Sequence, residues 1–421
     1  MFDFLRQNRV PTESGHQSDC GLERVYLDYA AATPVHNEVL QAMLPYWHEH
    51  YGNAGAIHQE GQSAKQALEQ ARTQIARLTQ VRPELVTFTS GGTESNNLAI
   101  IGYVETLRET GRSYESMHIL TTPIEHPATV EALKVVAARG VKVEEVGVDE
   151  VGLVKIATLE EKLTPQTIMV TLAHINSEIG TIQPTQRIAR TLRSYERKHQ
   201  SSRILLHVDA AQSPLWQPIQ LPTLGADMLS LDAGKCCGPK GVGVLICAQK
   251  QPLTHGVLYG GGQERGLRPG TEPVALCVGC AAALKLAQAG HVDRAQYVRT
   301  LRDSLQSMLL ECIPEMLWNG AVGDKRVANN INISLPGFDT EYVAVVLDAA
   351  GFAVSTKSAC STADSSASDV VYAISNNVSR ARSTLRITLH EGVTVKQLDE
   401  LVNNLVRHLE NMRPFSTKDT P

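Results

Sequence analysis

The chain alternates short apolar runs with longer amphipathic segments. The short runs end in small or polar residues, as buried strands do, and they occupy residues 85–89, 118–121, 141–146, 167–173, 203–208, 228–231 and 242–247. Helical periodicity marks the segments between them at residues 61–78, 93–110, 128–139 and 185–199. Because these segments are long enough to cross over a sheet, the alternation predicts an α/β fold with a mainly parallel sheet.

The pattern changes after the glycine cluster at residues 260–262. Helices are predicted at residues 274–289, 292–312 and 395–412, and short strands at 329–334 and 384–388. This order is typical of a second, smaller α+β domain. We predict an N-terminal extension over residues 1–24, a large domain over 36–290 and a small domain over 291–421 that is completed by residues 25–35.

Composition narrows the class of protein. Apolar residues make up 43% of the 421 residues and charged residues 20%, which is typical of a folded globular chain. Lys and Arg number 39 against 44 Asp and Glu, and the net charge of −5 gives no basic excess for a direct nucleic-acid partner. The chain has no apolar window of membrane-spanning length and no signal-peptide core, so we expect a cytoplasmic protein without a membrane partner.

The eight cysteines are scattered and lie mostly in apolar runs, so reduced thiols are expected rather than a disulfide framework. Cys277 and Cys280 form a Cys-x-x-Cys pair inside an Ala/Leu-rich helical stretch, where buried packing is favoured over a redox or metal site, and we expect no metal. Cys360 is the exception. It lies within residues 355–369, a Ser/Thr-rich stretch that predicts a mobile surface loop.

Polar residues follow five of the apolar runs, at 90–93, 125–126, 174–177, 209–212 and 232–235. Ligands of open α/β sheets bind at the carboxyl ends of the strands, so these sets predict one large site. Gly92 and Thr93 open a helix after a strand, where free N–H groups and a hydroxyl favour a phosphate. The alternative is that Thr93 or Ser90 only caps the helix.

Two further sets contain residues suited to a ring cofactor. Asp209 ends a strand, where a buried carboxylate needs a cation such as a protonated ring nitrogen, although it could simply cap the following turn. Gln212 could donate to a ring oxygen. Lys235 lies among small residues and could act as a Schiff-base amine, although most lysines are only solvated. Lys240 belongs to a Gly-Pro-Lys-Gly turn and is the weaker candidate.

Taken in order, the motifs resemble those of the cysteine desulfurases, pyridoxal-phosphate enzymes of the class V aminotransferase family that are related to the selenocysteine lyases. The motifs are YLDYAAATP at residues 26–34, FTSGGTESNN at 88–97, NSEIG at 176–180, HVDAAQS at 207–213, GPKGVG at 238–243, GGGQERGLRPGT at 260–271 and SAC at 358–360. The resemblance runs from about residue 25 to residue 412. It implies the fold type I of pyridoxal-phosphate-dependent transferases, with a seven-stranded, mainly parallel sheet in the large domain.

The resemblance also implies roles for individual residues. His126 would stack on the cofactor ring, Asp209 would pair with its pyridine nitrogen, Gln212 would bond its phenolic oxygen and Lys235 would form the Schiff base. The remaining implied ligands are Gly92 and Thr93 for the phosphate, Asn176 for cofactor and substrate, Arg386 for the substrate carboxylate, and Thr271 for the phosphate of a second subunit. Sites shared in this way imply a homodimer.

Cys360 matches the catalytic cysteine of the family. Its thiolate would take the sulfur of L-cysteine, leaving L-alanine, and pass the persulfide to an acceptor protein, either an iron–sulfur scaffold or a thiolation relay. Lys235 would move the Cα proton.

The chain departs from the family pattern at four positions. Related sequences carry Ser-x-His-Lys at the Schiff-base lysine, whereas this chain has Asp232 and Gly234 in place of the two phosphate donors. Ser177 replaces an Asn, and His390 stands in place of a Gly. Three alternatives therefore stay open: a selenocysteine lyase, a non-catalytic member that binds sulfur-transfer assemblies, and another class V reaction such as transamination, against which Cys360 argues.

Overall fold

The computed structural model describes residues 24–248, 253–356 and 367–413. All seven predicted apolar runs of the first part form strands, and a two-residue strand, β1, precedes them. The strands are β1 (Val25–Tyr26), β2 (Val86–Thr89), β3 (His118–Thr121), β4 (Lys142–Glu145), β5 (Thr167–Ala173), β6 (Leu205–Asp209), β7 (Met228–Asp232) and β8 (Gly243–Cys247). Strands β6 and β7 each extend one residue beyond the predicted run, so that Asp209 and Asp232 are their last residues.

Seven strands form one sheet in the order β2-β8-β7-β6-β5-β3-β4. The pairs from β7 to β4 are parallel, whereas β8 runs antiparallel to both of its neighbours. The central strands are buried along almost their whole length, as expected when helices cover both faces. The predicted α/β fold with a mainly parallel seven-stranded sheet is confirmed.

Helices connect and cover these strands. In this part of the chain they are α1 (Asn37–Met43), α2 (Pro45–His48), α3 (Gln59–Thr79), α4 (Gly92–Asn97), α5 (Tyr103–Glu109), α6 (Pro127–Ala138), α7 (Ile156–Lys162), α8 (Thr185–His199) and α9 (Leu221–Leu224). A π-helical turn at Leu98–Gly102 joins α4 to α5, where a single helix is predicted from the sequence. Periodicity over five residues does not distinguish an α turn from a π turn, which explains the difference.

Strand β8 brings the ends of β2 and β7 together. Its first residue, Gly243, pairs with Thr89 on one side and with Asp232 on the other. A Cβ at Gly243 would lie 2.6 Å from the Leu231 carbonyl oxygen and 2.7 Å from the Gly91 carbonyl carbon. Only glycine permits this close approach, so the Gly91 loop lies directly against the end of β7.

The rest of the described chain begins with a helix that packs on α3 and continues into the smaller α+β part. It contains α10 (Val274–Ala289), α11 (His291–Cys312), β9 (Leu317–Trp318), β10 (Asn330–Ser334), α12 (Thr340–Ala349), β11 (Phe352–Ala353), α13 (Asp369–Ser375), α14 (Val378–Arg382), β12 (Thr384–Thr388) and α15 (Val395–Met412). Strands β12, β10 and β9 form an antiparallel sheet, and β1 pairs with β11. The exact domain boundaries stay a prediction.

Apolar burial accounts for the helix packing, and it includes the Cys-x-x-Cys pair. Cys277 and Cys280 on α10 are fully buried, and α10 packs on α3. Burial raises the pKa of the Cys280 thiol well above its usual range, as expected for a thiol that only packs. Each of the six cysteines in the described residues is free, which confirms the predicted reduced thiols there.

A buried ion pair fixes the glycine-rich segment to the sheet. Arg72 on α3 donates to both carboxylate oxygens of Glu264, at 2.8 and 2.6 Å, and the Phe88 N–H donates to the same carboxylate at 2.9 Å. Arg265 reaches the Val86 carbonyl at 2.8 Å. These contacts hold residues 263–266 against β2, directly below the loop that follows this strand.

No single helix in the described residues is long and apolar enough to cross a membrane. In the same part of the chain, α10 and α11 taken together are long and apolar enough, and these two helices are bent by 67° relative to each other.

Candidate active site

The carboxylate of Asp209 lies at the carboxyl end of the central strand β6 and is nine-tenths buried. The side-chain amide of Asn96 on α4 donates to one of its oxygens at 2.7 Å, and the Ala211 N–H donates to the other at 3.0 Å. Within the described residues, no lysine or arginine forms an ion pair with this carboxylate. Asp209 is therefore a buried, oriented anion that can accept a further donor.

Lys235 is the last residue of a short 3₁₀ turn, Ala233–Lys235, which directly follows the neighbouring strand β7. Its amine donates to the Ala30 carbonyl at 3.1 Å and to the Ala31 carbonyl. The side-chain amide of Gln212 donates to the same Ala30 carbonyl at 2.9 Å. Thr33 donates to the Gly234 carbonyl at 3.0 Å, so the N-terminal segment and the Lys235 turn form one unit.

His126 begins α6, where its Nδ1 accepts the Ala128 N–H at 3.1 Å. Burial lowers the pKa of His126, while Asp209 raises it and the Lys235 amine lowers it again. The Glu125 carboxylate, next to His126, accepts the Ala173 N–H at 2.7 Å, and Ala173 pairs with Asp209 across β5 and β6, so His126 lies at the same edge of the sheet as Asp209 and Lys235. Asp232 also raises the pKa of His126.

Buried titratable groups lie around this end of the sheet. His174 and His207 are held by hydroxyls of Ser213 and Thr171, each at 2.8 Å, and burial lowers the pKa of both histidines to about 4. Burial raises the pKa of Glu125 to about 8. Burial therefore favours the uncharged form of all three groups.

A different arrangement follows strand β2. Gly91 has φ of +149°, and Gly92 begins α4 with its N–H directed at Asp232, whose Oδ2 accepts it at 2.9 Å. The Gly234 N–H donates to the other oxygen of Asp232 at 2.8 Å. The helix start that favours a phosphate is thus in contact with a carboxylate of the chain itself.

Arg386 on β12 is fully buried beside this site. Its guanidinium donates to the Asp28 carboxylate at 2.8 Å and to the Ser177 carbonyl at 3.1 Å. Within the described residues, its Nε is buried without a hydrogen-bond partner. A buried N–H of this kind favours an incoming carboxylate.

Comparison with known proteins decides the family. The family described as aminotransferase class-V matches residues 25–401, which is most of the chain. The chain belongs to the class-V aminotransferase family. The resemblance stated from the motifs is therefore confirmed, and the fold of the large sheet is that of this family of pyridoxal-phosphate enzymes.

Relatives match this class-V aminotransferase along its length. A protein of Archaeoglobus fulgidus named cysteine desulfurase IscS 1 is 37% identical over 391 residues, covering 93% of this chain and 98% of its own. A cysteine desulfurase IscS of Dictyoglomus turgidum is 36% identical, with 93% and 96% covered. A solved NifS-like protein has a TM-score of 0.83 at 32% identity, covering 92% and 100%. SspA in complex with cysteine has a TM-score of 0.70 at 32% identity, covering 87% and 98%.

Pyridoxal phosphate is the cofactor of this class-V aminotransferase, and the residues at one end of the site suit its ring. Asp209 is a buried carboxylate that has no ion-pair partner among the described residues, and a protonated pyridine nitrogen would supply one. Asn96 Oδ1 is buried and has no hydrogen-bond partner in the described residues, so it too can accept a donor. Lys235 presents the required amine nearby.

The other predicted site residues of the class-V aminotransferase are placed as follows. Thr93 and Thr271 have exposed side chains, and Arg268, three residues before Thr271, lies 3.6 Å from Glu94 on α4. Asn176 is buried, where it donates to the Ile124 carbonyl at 2.7 Å and accepts two N–H groups at 2.9 Å. Cys360 lies outside the described residues. The structure thus brings Asp209, Lys235 and His126 together, and the predicted roles in binding and catalysis stay predictions.

Sequence reasoning gave no role at this site to Asn96, Asp28 or Glu125, and it did not predict the hydrogen bond between Asp232 and Gly92. Asn96 could have been found, because it lies one helical turn after Gly92 in the motif and shares its face of the helix. Asp28 pairs with Arg386 across 358 residues, and the Asp232–Gly92 contact spans 140 residues. Neither separation leaves a local signal in the sequence.

Proposed function

We propose that this member of the class-V aminotransferase family is a cysteine desulfurase that converts L-cysteine to L-alanine and passes the sulfur through Cys360 to an acceptor protein. The observation that carries the proposal is the convergence at one edge of the sheet of Asp209, which ends β6, with Lys235 and His126, which follow β7 and β3. It occurs in a chain that is 37% identical to a named cysteine desulfurase over 93% of its length.

The ring end of the site would hold the cofactor. When bound, pyridoxal phosphate supplies an electron-accepting ring that stabilises negative charge at the Cα of an amino acid. Asp209 would hold a proton on the pyridine nitrogen, and Asn96 and the Ala211 N–H orient its carboxylate for that contact. Lys235 would hold the aldehyde group and move the proton at the substrate Cα.

Arg386 would bind the substrate carboxylate. Its Nε is free to donate, and a planar guanidinium suits a carboxylate because both can form two parallel hydrogen bonds. The Asp28 carboxylate accepts a hydrogen bond from one Nη of Arg386 and holds the guanidinium in place. The substrate carboxylate would therefore bind Arg386 beside the carboxylate of Asp28.

Both described flanks of the segment that contains Cys360 are attached to this part of the site. On one side, Ser355 exchanges backbone hydrogen bonds with Arg386, at 3.0 and 2.6 Å. On the other, the Ser368 hydroxyl donates to the buried carboxylate of Glu178 at 2.6 Å. The described residues on both sides of 357–366 therefore lie beside the proposed carboxylate site.

The sulfur step balances without a further reactant. The Cys360 thiolate attacks the sulfur of the bound L-cysteine, so that an S–S bond forms while the Cβ–S bond breaks. The carbon fragment keeps the electron pair and takes up protons to become L-alanine. The persulfide on Cys360 is then passed on to an iron–sulfur scaffold or a thiolation relay.

A homodimer belongs to the same proposal. Leu258 and Tyr259 are 49% and 86% exposed, and they lie in the glycine-rich segment that also carries Thr271. A second protomer packed on this segment would cover both apolar side chains. Sedimentation should show a dimer that dissociates in a Leu258→Ser, Tyr259→Ser double variant, whereas a Val322→Ser control at another exposed apolar site should leave it intact. A monomeric wild type would contradict this part.

The function is tested by following L-alanine and protein-bound sulfane sulfur after addition of L-cysteine. The wild type should form both, Lys235→Ala neither, and Cys360→Ala no bound sulfur. Cys312→Ala is the matched control, because Cys312 is a free and exposed thiol in the small part of the chain. Wild-type protein that binds a scaffold but forms no alanine would support the non-catalytic alternative and contradict the proposal.

The selenocysteine lyase alternative has no observation in its favour, and one assay distinguishes it. A lyase should release alanine faster from selenocysteine than from cysteine, and it should depend less on the Cys360 thiol. The desulfurase predicts that Cys360→Ala abolishes turnover of L-cysteine while Cys312→Ala does not. A cytoplasmic location remains a prediction from the sequence alone.

A further inference from the structure

The carboxylate of Asp232 bridges two backbone amides at the end of β7, the strand next to the one that Asp209 ends. Its Oδ2 accepts the Gly92 N–H at 2.9 Å and its Oδ1 accepts the Gly234 N–H at 2.8 Å. Gly92 begins the helical run that continues through the π turn to Glu109. First-turn amides of a helix have no partner inside the helix, and here an internal carboxylate takes this place.

The register of the strands fixes the contact between Asp232 and Gly92. Gly243 pairs with Thr89 and with Asp232, so the ends of β2 and β7 lie on either side of one residue. A Cβ on Gly91 or Gly92 would lie 3.3 or 3.4 Å from Asp232 Oδ2. The Asp232 side chain therefore fills the space next to both glycines, where the phosphate of the cofactor is expected.

The charges around Asp232 do not compensate for a second anion. Within the described residues, Asp232 has no lysine or arginine as an ion-pair partner, and the nearby Lys240 donates to the Thr33 carbonyl at 2.8 Å instead. The Ser90 N–H donates to Glu94 at 2.6 Å, which places another carboxylate on the same loop. Arg268 lies 3.6 Å from Glu94, and among the described residues it forms no ion pair with Asp232.

We propose that Asp232 is an internal anion that competes with the phosphate of the cofactor for the Gly92 amide. The proposal rests on the proposed function, because it concerns the same cofactor site. As a consequence, the site discriminates only weakly between pyridoxal phosphate and non-phosphorylated pyridoxal. The ring contacts at Asp209 and Lys235 are common to both compounds, so only the phosphate end distinguishes them.

A purely structural role for Asp232 makes a different prediction. Asp232 also caps the 3₁₀ turn that positions Lys235, through the Gly234 amide. If this were its whole role, removing the charge would weaken the binding of both compounds to a similar degree. If Asp232 competes with the phosphate, removing the charge strengthens the binding of the phosphorylated compound alone.

The test is a titration of the full-length apoprotein with pyridoxal phosphate and, separately, with pyridoxal, followed by the visible absorption of the bound compound. The proteins are the wild type, Asp232→Asn, Asp232→Ser and the control Asp339→Asn. Asp339 is a suitable control because its carboxylate also accepts two N–H groups at a helix start, at 3.0 and 3.3 Å, in the small part of the chain.

Removal of the charge should lower the Kd for pyridoxal phosphate at least about tenfold and change the Kd for pyridoxal less than about threefold, since one charge at contact distance is removed. Asp339→Asn should change neither. Inorganic phosphate should raise the melting temperature of Asp232→Ser apoprotein and leave that of the wild type unchanged. These results would support the competition.

An equal ratio of the two Kd values in wild type and Asp232→Asn would overturn the proposal while leaving the proposed function standing. If neither variant folds, the two Kd values of the wild type decide. A preference for pyridoxal phosphate over pyridoxal of more than about a thousandfold would overturn the proposal, because such a preference requires a phosphate site without a competing anion. Absence of any visible band in every protein would overturn the proposed function and this inference with it.

Discussion

At each of the two ends of the site, a carboxylate ends a strand and accepts two N–H donors, but the two carboxylates would meet opposite charges on the cofactor. At the ring end, Asp209 closes strand β6, and its carboxylate accepts donors from Asn96 and the Ala211 N–H. At the phosphate end, Asp232 closes strand β7, and its carboxylate accepts donors from Gly92 and Gly234. A carboxylate at the first position matches a cationic ring nitrogen, whereas one at the second position opposes an anion.

The difference teaches that two equally well satisfied carboxylates can have opposite effects on one ligand. Hydrogen bonding to amides stabilises each of them in the absence of the cofactor. What separates them is the charge that each would meet when the cofactor is bound. The two ends can therefore be altered independently, and each alteration has a distinct result.

The largest expected effect is a loss of stability in acid, caused by two buried histidines near the ring end of the site. His174 and His207 are buried, and burial lowers the pKa of both to about 4. Because these values lie below the unfolded pKa of about 6.5, the unfolded state binds more protons in this window, and stability is lost as the pH falls from about 6.5 to 4. Urea unfolding should show a loss of about 3 kcal/mol per histidine.

Glu125 contributes with the opposite sign in part of this window, because burial raises its pKa to about 8 and its carboxyl favours lower pH. The stability lost through the two histidines exceeds the stability gained through Glu125. His207→Gln should remove a large part of the acid sensitivity, whereas the exposed His50→Gln should not. Acid sensitivity that is unchanged in His207→Gln would show that the buried imidazole does not account for it.

The second prediction removes the anion at the ring end. Asp209→Asn should lower kcat for L-alanine formation by about 10²–10³-fold, because the charge that holds a proton on the ring nitrogen is lost. The amide can still bind Ala211 N–H, so the fold should be retained. The comparable control is Asp149→Asn, whose carboxylate accepts two N–H groups at 3.1 and 2.8 Å in a turn. A variant at Asp209 with full kcat would remove the distinction between the two ends.

The third prediction rebuilds the phosphate end. The double variant Asp232→Ser, Gly234→His replaces an anion by two hydrogen-bond donors and should bind pyridoxal phosphate about 10–100-fold more tightly than the wild type. A Cβ at Gly234 lies 3.2 Å from Asp232 Oδ1, so Gly234→His alone meets the carboxylate and should gain less. Fluorescence titration measures both. Equal gains in the single and double variants would contradict the role assigned to the Asp232 charge.

The smallest effect is expected at Arg386, which serves neither end of the cofactor. Arg386→Lys should raise the KM for L-cysteine about tenfold with a smaller change in kcat, because an ammonium retains the charge and loses the planar fork. Its melting temperature should also fall, since the contacts to Asp28 and Ser177 change. An unchanged KM would show that the substrate carboxylate binds elsewhere.

Much of the fold was predictable because it depends on local pattern. Seven apolar runs predicted seven strands, and the helices at Thr185–His199 and Val395–Met412 have the predicted bounds. The antiparallel direction of β8 was not predicted, because apolar runs carry no sign of strand direction. That direction places Gly243 between Thr89 and Asp232.

The site was predictable where one residue and its strand define the position. Asp209 and Lys235 were found because each follows an apolar run, and Gly92 because it opens a helix. Comparison with the family pattern showed that Asp232 stands in place of a phosphate donor. Its hydrogen bond to Gly92 could not be predicted, because it depends on the pairing of three strands that are distant in the chain.

One measurement tests the central claim most directly: the visible absorption spectrum of the full-length protein with pyridoxal phosphate, before and after L-cysteine, beside Lys235→Ala. The account predicts a band in the wild type that changes when L-cysteine is added, together with formation of L-alanine, and no such band in Lys235→Ala. A wild type without a band, even in excess pyridoxal phosphate, would contradict the claim that this edge of the sheet is a cofactor site.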